Sequence, residues 1–154
     1  MLGGRNTILR TGLSALIRKK LLIVDDNGSF AESLADVLSQ QGFEVRWAAQ
    51  AAKARTLARD FRPDVLIVDV NLVTASGIEV AQQFAHEELA SGFVFLTGSV
   101  DMDQRDIPES LKSIAVVLHK PVAKEDLLSA IETLSSDDSH VTRKVSDSTG
   151  SQPS

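Results

Sequence analysis

The side chains best placed to do chemistry in this chain are a few acids and one lysine, each closing a short apolar run. Leu21-Leu22-Ile23-Val24 ends in Asp25-Asp26, and Val65-Leu66-Ile67-Val68 ends in Asp69. Phe93-Val94-Phe95-Leu96 ends in Thr97-Gly98, and Val116-Val117-Leu118-His119 ends in Lys120-Pro121. A buried strand has no use for charge, so charge of both signs at successive strand ends implies a place where those ends converge. Carboxylates gathered there repel one another unless a cation is present. Mg²⁺ suits such a site, because it takes oxygen ligands, keeps waters and leaves positions for phosphate oxygens. A carboxylate can also attack phosphorus and form an aspartyl phosphate. The transition state spreads negative charge over the equatorial oxygens, which then need positive charge and hydrogen-bond donors around them. Asp69 stands alone at its strand end and is the better nucleophile, whereas the adjacent Asp25 and Asp26 are the better metal holders. Lys120 supplies a compact positive charge and Thr97 a hydroxyl donor.

Positioning these groups falls to an alternation of two periodicities. Apolar runs fall near 21–25, 43–48, 65–69, 93–97 and 115–119, with helical patterns between them. Phe30, Leu34, Val37 and Leu38 mark one helix face, with Gly42 as its stop. Ala51, Ala54, Leu57, Ala58 and Phe61 mark a second helix, ended by Pro63. Ile78, Ala81, Phe84, Ala85 and Leu89 mark a third, stopped near Gly92, and Leu127, Leu128, Ile131 and Leu134 mark the last. The charged stretch 101–112 carries Pro108 and offers only Met102, Ile107 and Leu111 as anchors, so a short or poorly formed helix is expected there. This βα order repeated five times predicts an α/β fold, a five-stranded parallel sheet doubly wound with helices on both faces. Continuous apolar strands fit a sheet covered on both sides. Phe43-Glu44-Val45-Arg46-Trp47 alternates instead and is expected at an edge, with Trp47 packing there.

Charge divides the chain. Residues 1–20 hold Arg5, Arg10, Arg18, Lys19 and Lys20 and no acid, so against a net charge of −5 the remainder carries −10. An acidic body argues against nucleic-acid binding, which needs a cationic face. No apolar run approaches the roughly 20 residues of a membrane span. The absence of cysteine excludes disulfides, thiolate zinc sites and cysteine nucleophiles. Residues 1–19 are expected to be a basic extension. Leu9, Leu13, Leu16 and Ile17 also follow helical spacing, and the composition is that of a transit peptide or amphipathic segment as well. Residues 20–135 are expected to form one domain, and 136–154, rich in Ser and Asp, a disordered tail.

Asp25-Asp26, Asp69, Thr97 and Lys120-Pro121, taken in order, resemble the response-regulator receiver domain, the CheY-like, flavodoxin-like fold. The match covers roughly residues 20–135, and Gly77, eight residues after Asp69, also agrees with it. The resemblance implies a phosphoacceptor at Asp69. It implies Mg²⁺ on Asp25, Asp26, Asp69 and the main-chain carbonyl of Asn71, with Lys120 bridging to the phosphoryl group and Thr97 moving to sense it. The peptide bond before Pro121 is expected to be cis. Ser99 and Asn71 would tune phosphate lifetime. The implied partners are a histidine kinase or histidine phosphotransfer protein and an unnamed downstream protein, in the cytoplasm, with no enzymatic turnover. Three positions depart from the family: Leu72-Val73 lacks its proline, Val117 stands where it carries an aromatic or histidine, and 101–112 is weak as a fourth helix.

Simpler readings exist for single residues. Asp25-Asp26 alone would suit a helix-capping turn, and His119 reads better as a surface or edge-of-site histidine than as a catalyst. His86 reads as a helix-surface residue and His140 as a tail residue. Two other functions compete. A degenerate receiver would bind partners constitutively. A haloacid-dehalogenase-type phosphatase would carry Asp-x-Asp-x-Thr after its first strand, where this chain has Asp25-Asp26-Asn27-Gly28-Ser29.

Overall fold

The apolar runs become five strands of one parallel sheet in a computed structural model that describes residues 18–135. These are β1 (Lys20–Val24), β2 (Glu44–Ala48), β3 (Val65–Asp69), β4 (Gly92–Thr97) and β5 (Ala115–His119), in the order β2-β1-β3-β4-β5. Among the described residues the α-helices are α1 (Gly28–Gln40), α2 (Ala51–Phe61), α3 (Gly77–His86) and α4 (Lys124–Ser135). The basic extension, apart from Arg18 and Lys19, the Ser-rich tail and His140 lie outside the described residues.

Period-two alternation along each strand divides the core in two. Leu22, Val24, Leu66, Val68, Phe93 and Phe95 face one way, against Ala54 and Ala58 of α2 and Val80, Ala81 and Phe84 of α3. Leu21, Ile23, Val65, Ile67, Val94 and Leu96 face the other way, against Ala31, Ala35 and Leu38 of α1 and Leu127 and Ile131 of α4. The central strands are therefore apolar at every position, as a doubly covered sheet requires. The strand β2, at the edge, keeps Arg46 exposed and leaves Trp47 half-buried, with its ring against Gly28. A parallel sheet fed by right-handed crossovers aligns all its strand C-termini at one end. Asp25, Asp69, Thr97 and Lys120 are thus delivered to a common crevice, with the break between the β1–β2 and β3–β4 connections beside it.

The third helix ends earlier than its apolar spacing suggests. Leu89 sits at helical spacing from Ala85, yet α3 stops at His86 and Glu88 turns left-handed with φ 56°. The Leu89 amide then donates to the Phe84 carbonyl at 2.8 Å and the Glu88 amide to Ala85 at 3.1 Å. That is a Schellman closure, and Leu89, buried, is its apolar contact rather than another helical turn. A similar closure at Gly42, with φ 102°, ends α1. The second helix stops at Phe61, with Arg62 left-handed just before Pro63.

The fourth crossover holds no α-helix. It folds as two 3₁₀ stretches, Gln104–Asp106 and Glu109–Ile114, and Ile107 and Leu111 are buried as its anchors. Asp103 caps the first stretch and binds Arg105, whose hydrogen bonds hold the Asp103 carboxyl below the usual aspartate range. No helix among the described residues is long and apolar enough to cross a membrane.

Candidate functional site

One ammonium gathers two of the three acids. Lys120 Nζ lies 3.1 Å from Asp25 Oδ2 and 3.3 Å from Asp69 Oδ2. Asp25 follows β1, Asp69 closes β3 and Lys120 follows β5, so three connections meet on one charge. The Asp25 side chain is only 2% exposed, against 15% for Asp69 and 28% for Lys120. Asp69 is thus the carboxylate that solvent reaches more readily. Burial works to strip charge from Lys120, but the hydrogen bond and charge of Asp25, and then those of Asp69, more than offset it and hold the lysine above its ordinary pKa.

Backbone amides complete the frame. Asp25 Oδ1 accepts from the Asn27 amide, and Asp69 Oδ1 from the Asn71 amide, each at 2.9 Å. Each acid therefore spends one oxygen on its own loop and aims the other at Lys120. Asp26 does not join this pair; its Oδ2 accepts from the Val73 amide, which ties the β1–α1 loop to the β3–α3 loop. A capping role for Asp25-Asp26 is corrected by the same geometry. The N-cap of α1 is Asn27, whose side chain accepts from Phe30 N–H.

Thr97, fully buried, ends β4, and its hydroxyl accepts from the Ser99 amide at 3.0 Å. The hydroxyl bonds to none of Asp25, Asp69 and Lys120; the Lys120 amide instead donates to the Thr97 backbone carbonyl at 2.8 Å. Val117 is half-buried on β5 opposite Phe95, within the core face that α2 and α3 cover. The Lys120–Pro121 peptide bond is cis. His119 is exposed, its Nε2 bonded to the Met102 carbonyl at 2.7 Å, and so holds the fourth crossover to the end of β5. His86 is exposed in the last turn of α3.

Sequence reasoning missed Phe30. Its ring lies under the lysine, with Nζ 4.7 Å from the centroid. Its helical spacing had placed it on the core face of α1, where it is in fact half-buried. The Val73 contact was invisible for a different reason: any residue carries a backbone N–H.

Gly77 shows how tightly the Asp69 loop is made. A Cβ there would fall 2.2 Å from the Asp69 carbonyl oxygen and 2.9 Å from Val70 Cα, both backbone atoms that cannot swing away. The Gly77 amide donates to the Val70 carbonyl at 2.8 Å, so the first residue of α3 is pressed against the end of β3. Gly77→Ala in an open helix would gain roughly 0.5–1 kcal/mol. At this position overpacking prevails, and a net loss of about 1–3 kcal/mol is expected, read as a lower thermal midpoint.

The comparisons with known proteins agree with this geometry. The family model of the response regulator receiver domain matches residues 21–132. The chain belongs to that family. It is 31% identical over 125 residues to the transcriptional regulatory protein PdtaR of Mycobacterium tuberculosis, covering 79% of this chain and 59% of that protein. It is 29% identical over 116 residues to the DNA-binding response regulator MtrA of the same organism, covering 75% and 50%. The receiver therefore spans about half the length of these relatives. Among solved structures, the Vibrio cholerae chemotaxis protein CheY4 superposes with a TM-score of 0.68 at 26% identity, over 76% of this chain and 98% of that one. The chain is a receiver homologous to the response regulators of two-component signalling, with the parallel five-stranded CheY-like fold.

Proposed function

We propose that Asp69 is the phosphoacceptor of this receiver and that its phosphorylation switches protein–protein contacts. The observation that carries this reading is the single ammonium of Lys120 shared by buried Asp25 and more accessible Asp69. An Asp69 carboxylate oxygen forms the new O–P bond while the donor's bond to phosphorus breaks and the leaving group departs with the bonding pair. Lys120 is already at that carboxylate and meets the charge gathering on the phosphoryl oxygens. The Asn71 amide fixes the other Asp69 oxygen, so the attacking one is oriented before a donor arrives. Thr97, one strand over, is the buried hydroxyl available to the phosphoryl group once it leaves Ser99.

The donor set suits Mg²⁺. It consists of oxygen alone, and Asp25 and Asp69 lie within two hydrogen-bond lengths of each other through Lys120. Asp26 Oδ1 makes no hydrogen bond among the described residues and remains open to a ligand. Among those residues no group of three or more acids or histidines is placed to hold a metal ion as it stands, whereas Mg²⁺ asks for only one or two carboxylates and keeps its own waters. Asp26, Asp69 and the Asn71 carbonyl would hold it, with Asp25 assisting directly or through water. Once bound, it would neutralise charge on the phosphoryl oxygens alongside Lys120.

A histidine kinase or phosphotransfer protein would donate, and a downstream protein would read the switch, in the cytoplasm and without enzymatic turnover. Val117 has no ring to swing, so Thr97 would report through the β4 loop, Ser99 and the 3₁₀ crossover held by His119. The acidic charge of the chain favours a protein target over nucleic acid.

Incubation with Mg²⁺ and acetyl phosphate tests the reading. Intact mass should rise by about 80 Da, one phosphoryl group, with the adduct on the peptide carrying Asp69 and absent when Mg²⁺ is chelated. An adduct on another residue, or none under saturating acetyl phosphate and an active histidine kinase, would leave a constitutive binding module as the better account.

A further inference from the structure

We propose that Phe30 is a positioning residue for Lys120, its ring face holding the ammonium at the Asp69 carboxylate while leaving it free to pivot toward a phosphoryl group. The inference rests on Asp69 being the phosphoacceptor. Four elements meet at this ammonium: the end of β1 through Asp25, the end of β3 through Asp69, the residue after β5 and the first turn of α1 through Phe30.

Phe30 is well fixed. Its amide donates to the Asn27 side chain at 3.0 Å, and its ring packs partly into the core face shared by α1 and α4. Nζ stands 4.7 Å from the ring centroid, inside the roughly 6 Å range over which a ring quadrupole attracts a cation. Lys120 needs such a wall. Its side chain is 28% exposed and rides on a flexible four-carbon stem, so two carboxylates alone leave it a path toward solvent.

The chemistry of the ring matters as much as its bulk. A third carboxylate would bind the ammonium more firmly, but it would add negative charge where phosphoryl oxygens must arrive. A hydrogen-bond acceptor would have to be broken before the ammonium could re-aim. A ring face attracts the cation with little directional demand and offers no competing charge. Leucine could fill the same volume without attracting the ammonium.

The test uses the full chain with Mg²⁺ and acetyl phosphate, and compares initial rates of adduct formation. Phe30→Leu, which keeps apolar bulk and removes the ring, should slow the rate about two- to fivefold, the range of a partly solvated cation–π contact. Phe30→Tyr should restore it. In the parent protein, NMR should find the Lys120 ε-methylene protons shifted upfield by the ring current. An unshifted lysine, equal rates for Phe30→Leu and the parent, or a Phe30→Tyr rate as low as that of Phe30→Leu would each overturn the inference. Failure of the phosphoacceptor reading looks different: the parent protein itself would take no phosphoryl group on Asp69, and the inference would fall with it.

Discussion

Asp69→Asn is expected to accept no phosphoryl group from acetyl phosphate, with its adduct below about 1% of the parent's, and to melt no lower than the parent. An amide oxygen is too weak a nucleophile to displace a leaving group at phosphorus. The rest of the site survives the change. The asparagine oxygen can still accept from the Asn71 amide, and Lys120 keeps its 3.1 Å contact with Asp25. The electrostatics even improve, because one ammonium no longer serves two carboxylates. Asp69 is partly solvated, so the relief is modest, about 0–1 kcal/mol. Intact mass and a thermal melt on one preparation read both halves. Adduct formation by the variant would move the nucleophile elsewhere, and Asp25, the other carboxylate on Lys120, would be the first place to look.

The separation of adduct from stability is informative because the two depend on different atoms. Adduct formation needs a charged oxygen at one position. Stability needs each acid's other oxygen on its loop amide and a cation beside buried Asp25. A variant that loses both properties has lost the site; one that loses only the adduct has lost the nucleophile.

Much of this site was legible in the sequence, for a physical reason. A parallel strand buried on both faces is apolar at every position, so the first charged residue after it marks its C-terminal end. Parallel strands put all those ends on one side. Asp25, Asp26, Asp69, Thr97 and Lys120 could therefore be assigned to one crevice before any coordinates. Contacts that the strand pattern does not encode were not legible. Asp26 turns to a backbone amide at Val73, and amides leave no trace in side-chain sequence. Phe30 serves two purposes, core packing and the lysine, and its spacing reveals only the first. Leu89 keeps helical spacing beyond the end of its helix because a Schellman closure also needs an apolar residue there. The 3₁₀ crossover was visible as a shortage of anchors, and of the three named, Ile107 and Leu111 are buried while Met102 is half-buried.

Lys120→Met should have the largest combined effect. Methionine keeps an apolar stem against Phe30 and removes the charge alone. Asp25, only 2% exposed, then retains the Asn27 amide and loses Lys120, its one charged partner among the described residues. Breaking a buried ion pair by removing one member costs about 3–5 kcal/mol. This lysine is partly solvated, so about 1–3 kcal/mol is the expected loss, a fall of roughly 5–10 °C in the melt of a domain of this size. Adduct formation should drop about 10²- to 10³-fold, the usual effect of removing one preorganised charge from a developing oxyanion. The stability gap between parent and variant should also depend on pH. Lys120 is held above the ordinary lysine value of 10.5, so the folded chain binds this proton more tightly than the unfolded one. The stabilisation is fully present below the unfolded value and is lost as pH rises through the folded one. Parent and variant should therefore melt a constant interval apart at neutral pH and converge only in strong alkali. A gap that already closes near neutrality would show that Lys120 does not hold its proton above the ordinary lysine range, and with it the shared ammonium would cease to be the organising feature of the site.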